Sequence, residues 1–211
     1  MSGYADYYNT ELYTDKYSHH NVPIIHATPD NFKEYGKIVY DYDTESVIIT
    51  PWPVNGHRPL MPGTGSDGGI TEGKFEYWHE GEYIHAKNMA VGGNYIIGRK
   101  VDNKYILTRE ANYHPDGGQV FWPIDKCPFI LLLAKPGDNI TPNDFVGFYF
   151  DGTYGAQIWP NIWHQPVYHI GRNNALYMTK QGKIHACVGL DTIIEWSTWL
   201  KLDLTQIPSS I

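Results

Sequence analysis

From Gly73 to Glu110 the chain alternates apolar and polar residues in short runs, each cut off by a turn signal. Lys74-Phe-Glu-Tyr-Trp-His79, Glu82-Tyr-Ile-His85, Met89-Ala-Val and Asn94-Tyr-Ile-Ile are divided by Glu-Gly, Gly-Gly and Gly-Arg, and Lys104-Tyr-Ile-Leu-Thr-Arg-Glu110 follows an Asp102-Asn103 turn. A period of two over segments this short suits half-buried strands rather than helices. Strands recurring about every ten residues with turns between them predict a sandwich or a barrel.

The remainder of the chain extends the pattern. Pro23–Ala27, Lys37–Tyr40, Ser46–Thr50, Gly117–Trp122, Phe145–Phe150, Val167–Ile170, Ala175–Met178 and Ile184–Leu190 read as further strands, and Phe129-Ile-Leu-Leu-Leu-Ala134 as the most buried one. Helix signals are few. Thr28 can cap a short helix with Pro29 at its first position and Gly36 at its end, and Pro142–Asp144 suits a single turn. Asp191–Leu204 reads as a strand or short helix covering the barrel's edge, and Pro51–Gly73 as a loop at the mouth of a site. Residues 1–22 show no sustained period and read as an irregular arm before one domain spanning 23–211. The predicted fold is all-β, a cupin-like β-barrel or jelly roll with a few short helices.

Charge narrows the partners. The 211 residues carry a formal charge of −7 and no Lys/Arg cluster, which argues against nucleic acid and favours a small-molecule substrate. With two cysteines, Cys127 and Cys187, there is no disulfide framework, and no apolar run reaches the roughly 18 residues needed to cross a bilayer. The chain therefore reads as cytoplasmic, with no membrane contact.

Chemistry concentrates between Glu110 and Pro166. Glu110 and His114 are four apart where a strand runs into a turn, so both can face inward; Gln119 opens the next strand, and His164 comes from a distant one. Two imidazoles and a carboxylate can do acid–base work, or can hold a divalent metal as His114, His164 and Glu110 with Gln119 at the edge. Either use requires the two histidines to meet in one pocket. Trp159 and Trp163 suit pocket wall or core, and Asn161 suits a turn. His79 and His85, six apart, are counted on one face as a weaker second pair.

Four segments resemble the ureidoglycolate lyase family, a cupin-type group acting in allantoin breakdown. They are Asn31-Phe-Lys-Glu-Tyr-Gly-Lys-Ile-Val39, Glu110-x-x-x-His114-Pro-x-Gly-x-Gln119-x-Phe-x-Pro123, Phe129–Gly137, and Gly155-x-Gln157-x-x-x-Asn161-x-Trp163-His164-x-Pro166. Trp159 stands where the family usually has a histidine, Gln165 where it often has another, and Gln157 replaces an asparagine. The resemblance implies a lyase releasing urea and glyoxylate, with His114 and His164 as base and acid in either order. It further implies that Gln119, Gln157 and Asn161 bind substrate beside Trp159 and Trp163, and that the protein forms a homodimer. A metal-dependent isomerase or sugar-acid enzyme and a non-catalytic ligand-binding barrel are the other readings of the same fold.

Overall fold

A computed structural model describes residues 16–51, 58–61 and 68–207. Strands take up 51% of the described residues, among which the α-helices are two short ones. In chain order the strands are β1 (Ser18–Val22), β2 (Ile24–His26), β3 (Gly36–Val39), β4 (Ile70–Glu80), β5 (Tyr83–Asn88) and β6 (Gly93–Val101). Next come β7 (Tyr105–Thr108), β8 (Glu110–Tyr113), β9 (Gln119–Pro123), β10 (Phe129–Ala134), β11 (Val146–Phe150) and β12 (Gly155–Ile158). The last are β13 (Trp163–His164), β14 (Tyr168–His169), β15 (Asn174–Gly182), β16 (Val188–Asp191) and β17 (Thr198–Asp203).

They form two sheets of a cupin-like jelly roll. The larger runs β1-β17-β7-β6-β5-β4-β15-β9-β12-β3, the smaller β16-β8-β13-β10-β11-β2, with β14 also on β10. Every residue of β10 is fully buried. This continuous apolar run, flanked by β11, β13 and β14, anchors the smaller sheet against the larger one. The chain changes sheet at Arg109, between β7 and β8, and the buried Arg109 guanidinium is paired with Asp191.

Local chemistry explains the turns. Asp102 and Asn103 have φ of 50° and 54°, the left-handed conformations that a tight hairpin asks of its two central residues. Thr28 and Asn31 form a reciprocal capping box on the first helix, α1 (Pro29–Phe32).

Several expected boundaries move. Ser18–Val22 is not irregular but lies parallel to β17, so the ladder starts inside the expected arm. Met89–Val91 turns between β5 and β6, with Met89 half exposed. Ser46–Thr50 makes only the bridge Ile49–Gly117; its apolar residues instead cover the outer face of β9, where Val47 and Tyr42 pack on Val120. Asp191–Leu204 is both a helix, α2 (Thr192–Trp196), and the strand β17. Ile70–Gly73, expected as loop, already belongs to β4. The expected loop residues 52–57 and 62–67 lie outside the described residues. No helix among the described residues is long and apolar enough to cross a membrane.

Leu131 sits mid-strand in β10 with no exposure. Leu131→Ala is expected to lose about 2–5 kcal/mol, because a rigid two-sheet core collapses poorly around the cavity. Urea denaturation of the two proteins measures it.

Candidate functional site

A cavity with an empty volume of about 440 Å³ lies between the two sheets. The larger sheet supplies Phe75, Asn88, Tyr95 and Gln119, and the smaller sheet with its adjoining turns supplies Glu110, Asn112, His114, His164, Gln165, His185 and Cys187. No Lys or Arg occurs among the described lining residues.

Strand register brings the chemistry together. Asn112 of β8 lies opposite His164 of β13 on one side and Gly189 of β16 on the other. Continuing the β8–β16 register past Tyr113–Val188 brings Cys187 beside His114, and the sulfur lies 3.3 Å from His114 Nδ1. The His114 and His164 rings are 5.1 Å apart, so the two motif histidines do meet in one cavity. A third imidazole, His185, stands 4.3 Å from His114. His185 has φ +49°, an uncommon left-handed conformation for a side-chain-bearing residue. Asp116 holds that turn by accepting the N–H groups of His185 and Ala186 at 3.2 and 3.0 Å. Gly182 makes room for Asp116, since a Cβ there would lie 2.2 Å from the carboxylate.

The three imidazoles carry different charge. Burial works against a charged His114, but the Cys187 sulfur, the Asp116 carboxylate and the Ala186 carbonyl outweigh it and push His114 up to about 9. Burial, and then the His114 charge, bring His164 down to about 3. Burial followed by the charge of His114 lowers His185 well below the usual imidazole range. One ring is thus cationic near neutral pH and two are neutral. Glu110, on the same face of β8 as Asn112, is raised to about 8 by burial first and by Asp191 second, against the opposing Arg109.

Hydrogen bonds settle which ring atoms are free. His164 Nδ1 lies 2.8 Å from the Ile162 carbonyl, which accepts only an N–H, so its Nε2 keeps the lone pair. His114 Nδ1 lies 3.0 Å from the Ala186 carbonyl and is likewise protonated. Gln119 donates both amide hydrogens, to Thr179 Oγ1 and Gln181 Oε1 at 3.2 and 3.1 Å, leaving its own Oε1 as an acceptor.

The metal set expected from sequence does not gather. Among the described residues, the His/Cys/Asp/Glu donors whose ligand atoms come within 4.8 Å of one another are His114, His185 and Cys187, without Glu110 or His164. In that trio Gln181 Nε2 contacts His185 Nδ1 at 2.8 Å, and the Ala186 carbonyl takes His114 Nδ1. Both Nδ1 atoms are thus engaged, so a metal held by this trio would take each imidazole at Nε2 and Cys187 at its sulfur.

Other sequence candidates lie off the cavity. Gln157 pairs with Val120, whose side chain faces outward, and its amide donates to the Ser46 carbonyl at 2.5 Å. Trp159 donates its indole N–H to Lys33 O at 3.0 Å. Trp163 donates to Gly137 O at 3.1 Å and packs edge-on against Tyr113. Asn161, at φ +66°, serves the turn: its backbone N–H donates to His114 O at 3.1 Å and ties the two motifs together. His79 faces His169 while His85 stacks on Trp78, the neighbour on the opposite face, so these two histidines form no pair.

Comparison with known proteins identifies the family. The family model described as ureidoglycolate lyase matches residues 19–191. Among curated relatives, a ureidoglycolate lyase of Azotobacter vinelandii is 37% identical over 62 residues, 29% of this chain and 37% of that protein. One from Stutzerimonas stutzeri is 30% identical over 83 residues, covering 39% and 49% of the two chains. One from Pseudomonas paraeruginosa is 32% identical over 80 residues, covering 37% and 47%. The aligned stretch thus spans about half or less of each of these relatives. By its family match, its fold and its paired motifs, the chain belongs to the ureidoglycolate lyase family.

Proposed function

We propose that the protein is a lyase that splits ureidoglycolate into glyoxylate and urea. The observation that carries this reading is the pairing, 5.1 Å apart in one cavity, of an imidazole held protonated with one held neutral. Elimination needs that pair. The substrate hydroxyl gives its proton to His164 Nε2, and the O–H electrons become the C=O of glyoxylate. The C–N bond breaks, and its electron pair leaves with the urea nitrogen, which takes a proton from His114. A proton passed from His164 to His114 then restores both rings. His164 is a weak base while burial and the His114 charge hold it down; a substrate carboxylate entering beside His114 offsets the second cause.

The remaining lining suits the rest of the molecule. Gln119 Oε1 accepts a ureido N–H, and Glu110, protonated at neutral pH, donates to a substrate oxygen. The reading extends to a homodimer, supported by the sheet edges at β1 and β3, each with a single ladder partner. It extends to the cytoplasm as well, where the free buried thiols Cys127 and Cys187 suit reducing conditions.

Turnover of racemic ureidoglycolate, followed by glyoxylate release, tests the proposal. His114→Ala and His164→Ala are each expected to lower kcat by about 10²–10⁴-fold while the thermal midpoint shows a folded protein. Wild-type kcat/KM is expected to fall between pH 8 and 10 as Glu110 ionises near 8 and His114 loses its proton near 9. A flat profile across that range refutes the assignment of His114 as acid.

Glu110 supplies a check that needs no substrate. Its folded-state affinity for a proton is raised, so its contribution to stability is fully present below the unfolded value of 4.5 and is lost as pH rises to about 8. Glu110→Gln is therefore expected to melt like wild type near pH 4.5 and several degrees higher at pH 8, given that ~1 kcal/mol moves the midpoint of such a chain by roughly 2–4 °C. Scanning calorimetry at the two pH values decides it.

A further inference from the structure

One backbone N–H orients the His185 ring through two amides, Asn88 and Gln181, that lie outside the sequence motifs. Ala90 N–H donates to Asn88 Oδ1 at 3.0 Å, which fixes the Asn88 amide with its nitrogen turned the other way. Asn88 Nδ2 then donates to Gln181 Oε1 at 2.8 Å, and Gln119 Nε2 donates to the same oxygen. With its oxygen so engaged, Gln181 presents Nε2 to His185 Nδ1 at 2.8 Å. A donor facing Nδ1 requires a lone pair there, and a neutral imidazole with a lone pair on Nδ1 carries its proton on Nε2. Asn88, Gln119 and Gln181 are all buried, Gln181 at 1% exposure, so water has little access to reverse the order. His185 itself lines the cavity.

We propose that His185 is a substrate-binding residue, an uncharged Nε2–H donor to the carboxylate of the substrate, and that Gln181 is the positioning residue that fixes its tautomer. This rests on the lyase reading for the identity of the substrate, while the donor itself is a property of the fold. It assigns the site a small monocarboxylate carrying a neighbouring hydroxyl or carbonyl. His164 takes the proton, His114 returns one, and His185 holds the group that keeps its charge throughout. A neutral donor suits that task, because a second cation next to His114 would be repelled by the first. The left-handed backbone at His185 and its clamp by Asp116 give the ring the fixed aim that such a donor needs.

The test uses the full-length protein, labelled with ¹⁵N at histidine, with glyoxylate as the probe. In wild type the His185 ring is expected to show a protonated Nε2 and an unprotonated Nδ1, and saturating glyoxylate is expected to shift the Nε2–H signal. Gln181→Met is expected to leave a mixture of both tautomers. In turnover assays His185→Phe is expected to raise KM and the glyoxylate inhibition constant together by roughly 10–100-fold, the loss of one hydrogen bond to a charged group. His185→Gln, which offers an amide N–H, is expected to recover part of both. A protonated Nδ1 in wild type, or a His185 ring indifferent to glyoxylate, overturns the proposal whatever the turnover. So does a His185→Phe protein, folded by its thermal midpoint, with an unchanged inhibition constant. If glyoxylate shifts the ring but ureidoglycolate is not cleaved, the donor stands and the lyase reading fails.

Discussion

The ladder on either side of β8 holds the site in register. Asn112 is opposite His164 on one neighbour and Gly189 on the other, and the next step along the outer pair brings Cys187 to His114. A slip of one residue in either pairing would turn that strand's inward side chains away from the cavity, since neighbours along a strand point to opposite faces. The alignment is secured from outside the site. The fully buried strand β10 pairs with β13, setting His164 opposite Leu133, and the Asn161 N–H bond to His114 O joins the turn before β13 to the turn after β8. The geometry of the candidate site depends on core packing two strands away.

With the rings in place, their charges follow from distance and burial. Three imidazoles this close and this buried cannot all be protonated, because burial and their mutual repulsion both oppose the charged forms. The ring with the most anionic surroundings, His114 beside Cys187 and near Asp116, takes the charge, and its charge adds to the burial that keeps the other two neutral. The split arises from one asymmetry, the position of Cys187 and Asp116 on the His114 side. Arg109 lies behind Glu110 but is paired with Asp191, which adds to the burial that keeps Glu110 protonated.

Much of this was legible in the sequence, for physical reasons that also mark the limit. Alternation with glycine turns reports strands, and the Glu110–Gln119 and Gly155–Pro166 motifs bring together Glu110, His114, Gln119 and His164, which line one cavity. Gln157 was misplaced because the facing of a strand depends on its register with a neighbour. Ile158 lies opposite the inward-facing Gln119, which turns Gln157 outward beneath Ser46. Trp159 and Trp163 are spoken for by backbone carbonyls, which periodicity cannot reveal. His185 and Cys187 escape the sequence reading because Ile184–Leu190 alternates like one strand. The strand begins only at Val188, and the left-handed turn before it sends His185 into the cavity. Asp116 in the first motif, with Gly182 making space for it, was the available signal.

The two sheets divide the labour. Imidazoles and the carboxylate come from the smaller sheet and its turns, where the chain bends and side chains can converge. The larger sheet contributes the amides of Asn88, Gln119 and Gln181, carried on β5, β9 and β15 with β4 between β5 and β15. Such amides do no chemistry, but each has a donor end and an acceptor end, so a chain of them carries orientation from a backbone N–H to a ring nitrogen. Placing that chain on long, mutually paired strands makes it rigid, since turning over any one amide would leave several buried groups unpaired. The family motifs record the side of the cavity that carries the imidazoles and the carboxylate. The amides that orient His185 are spread across three strands, and of these Gln119 alone lies in a motif, so the set becomes visible only when the hydrogen bonds are followed from one residue to the next.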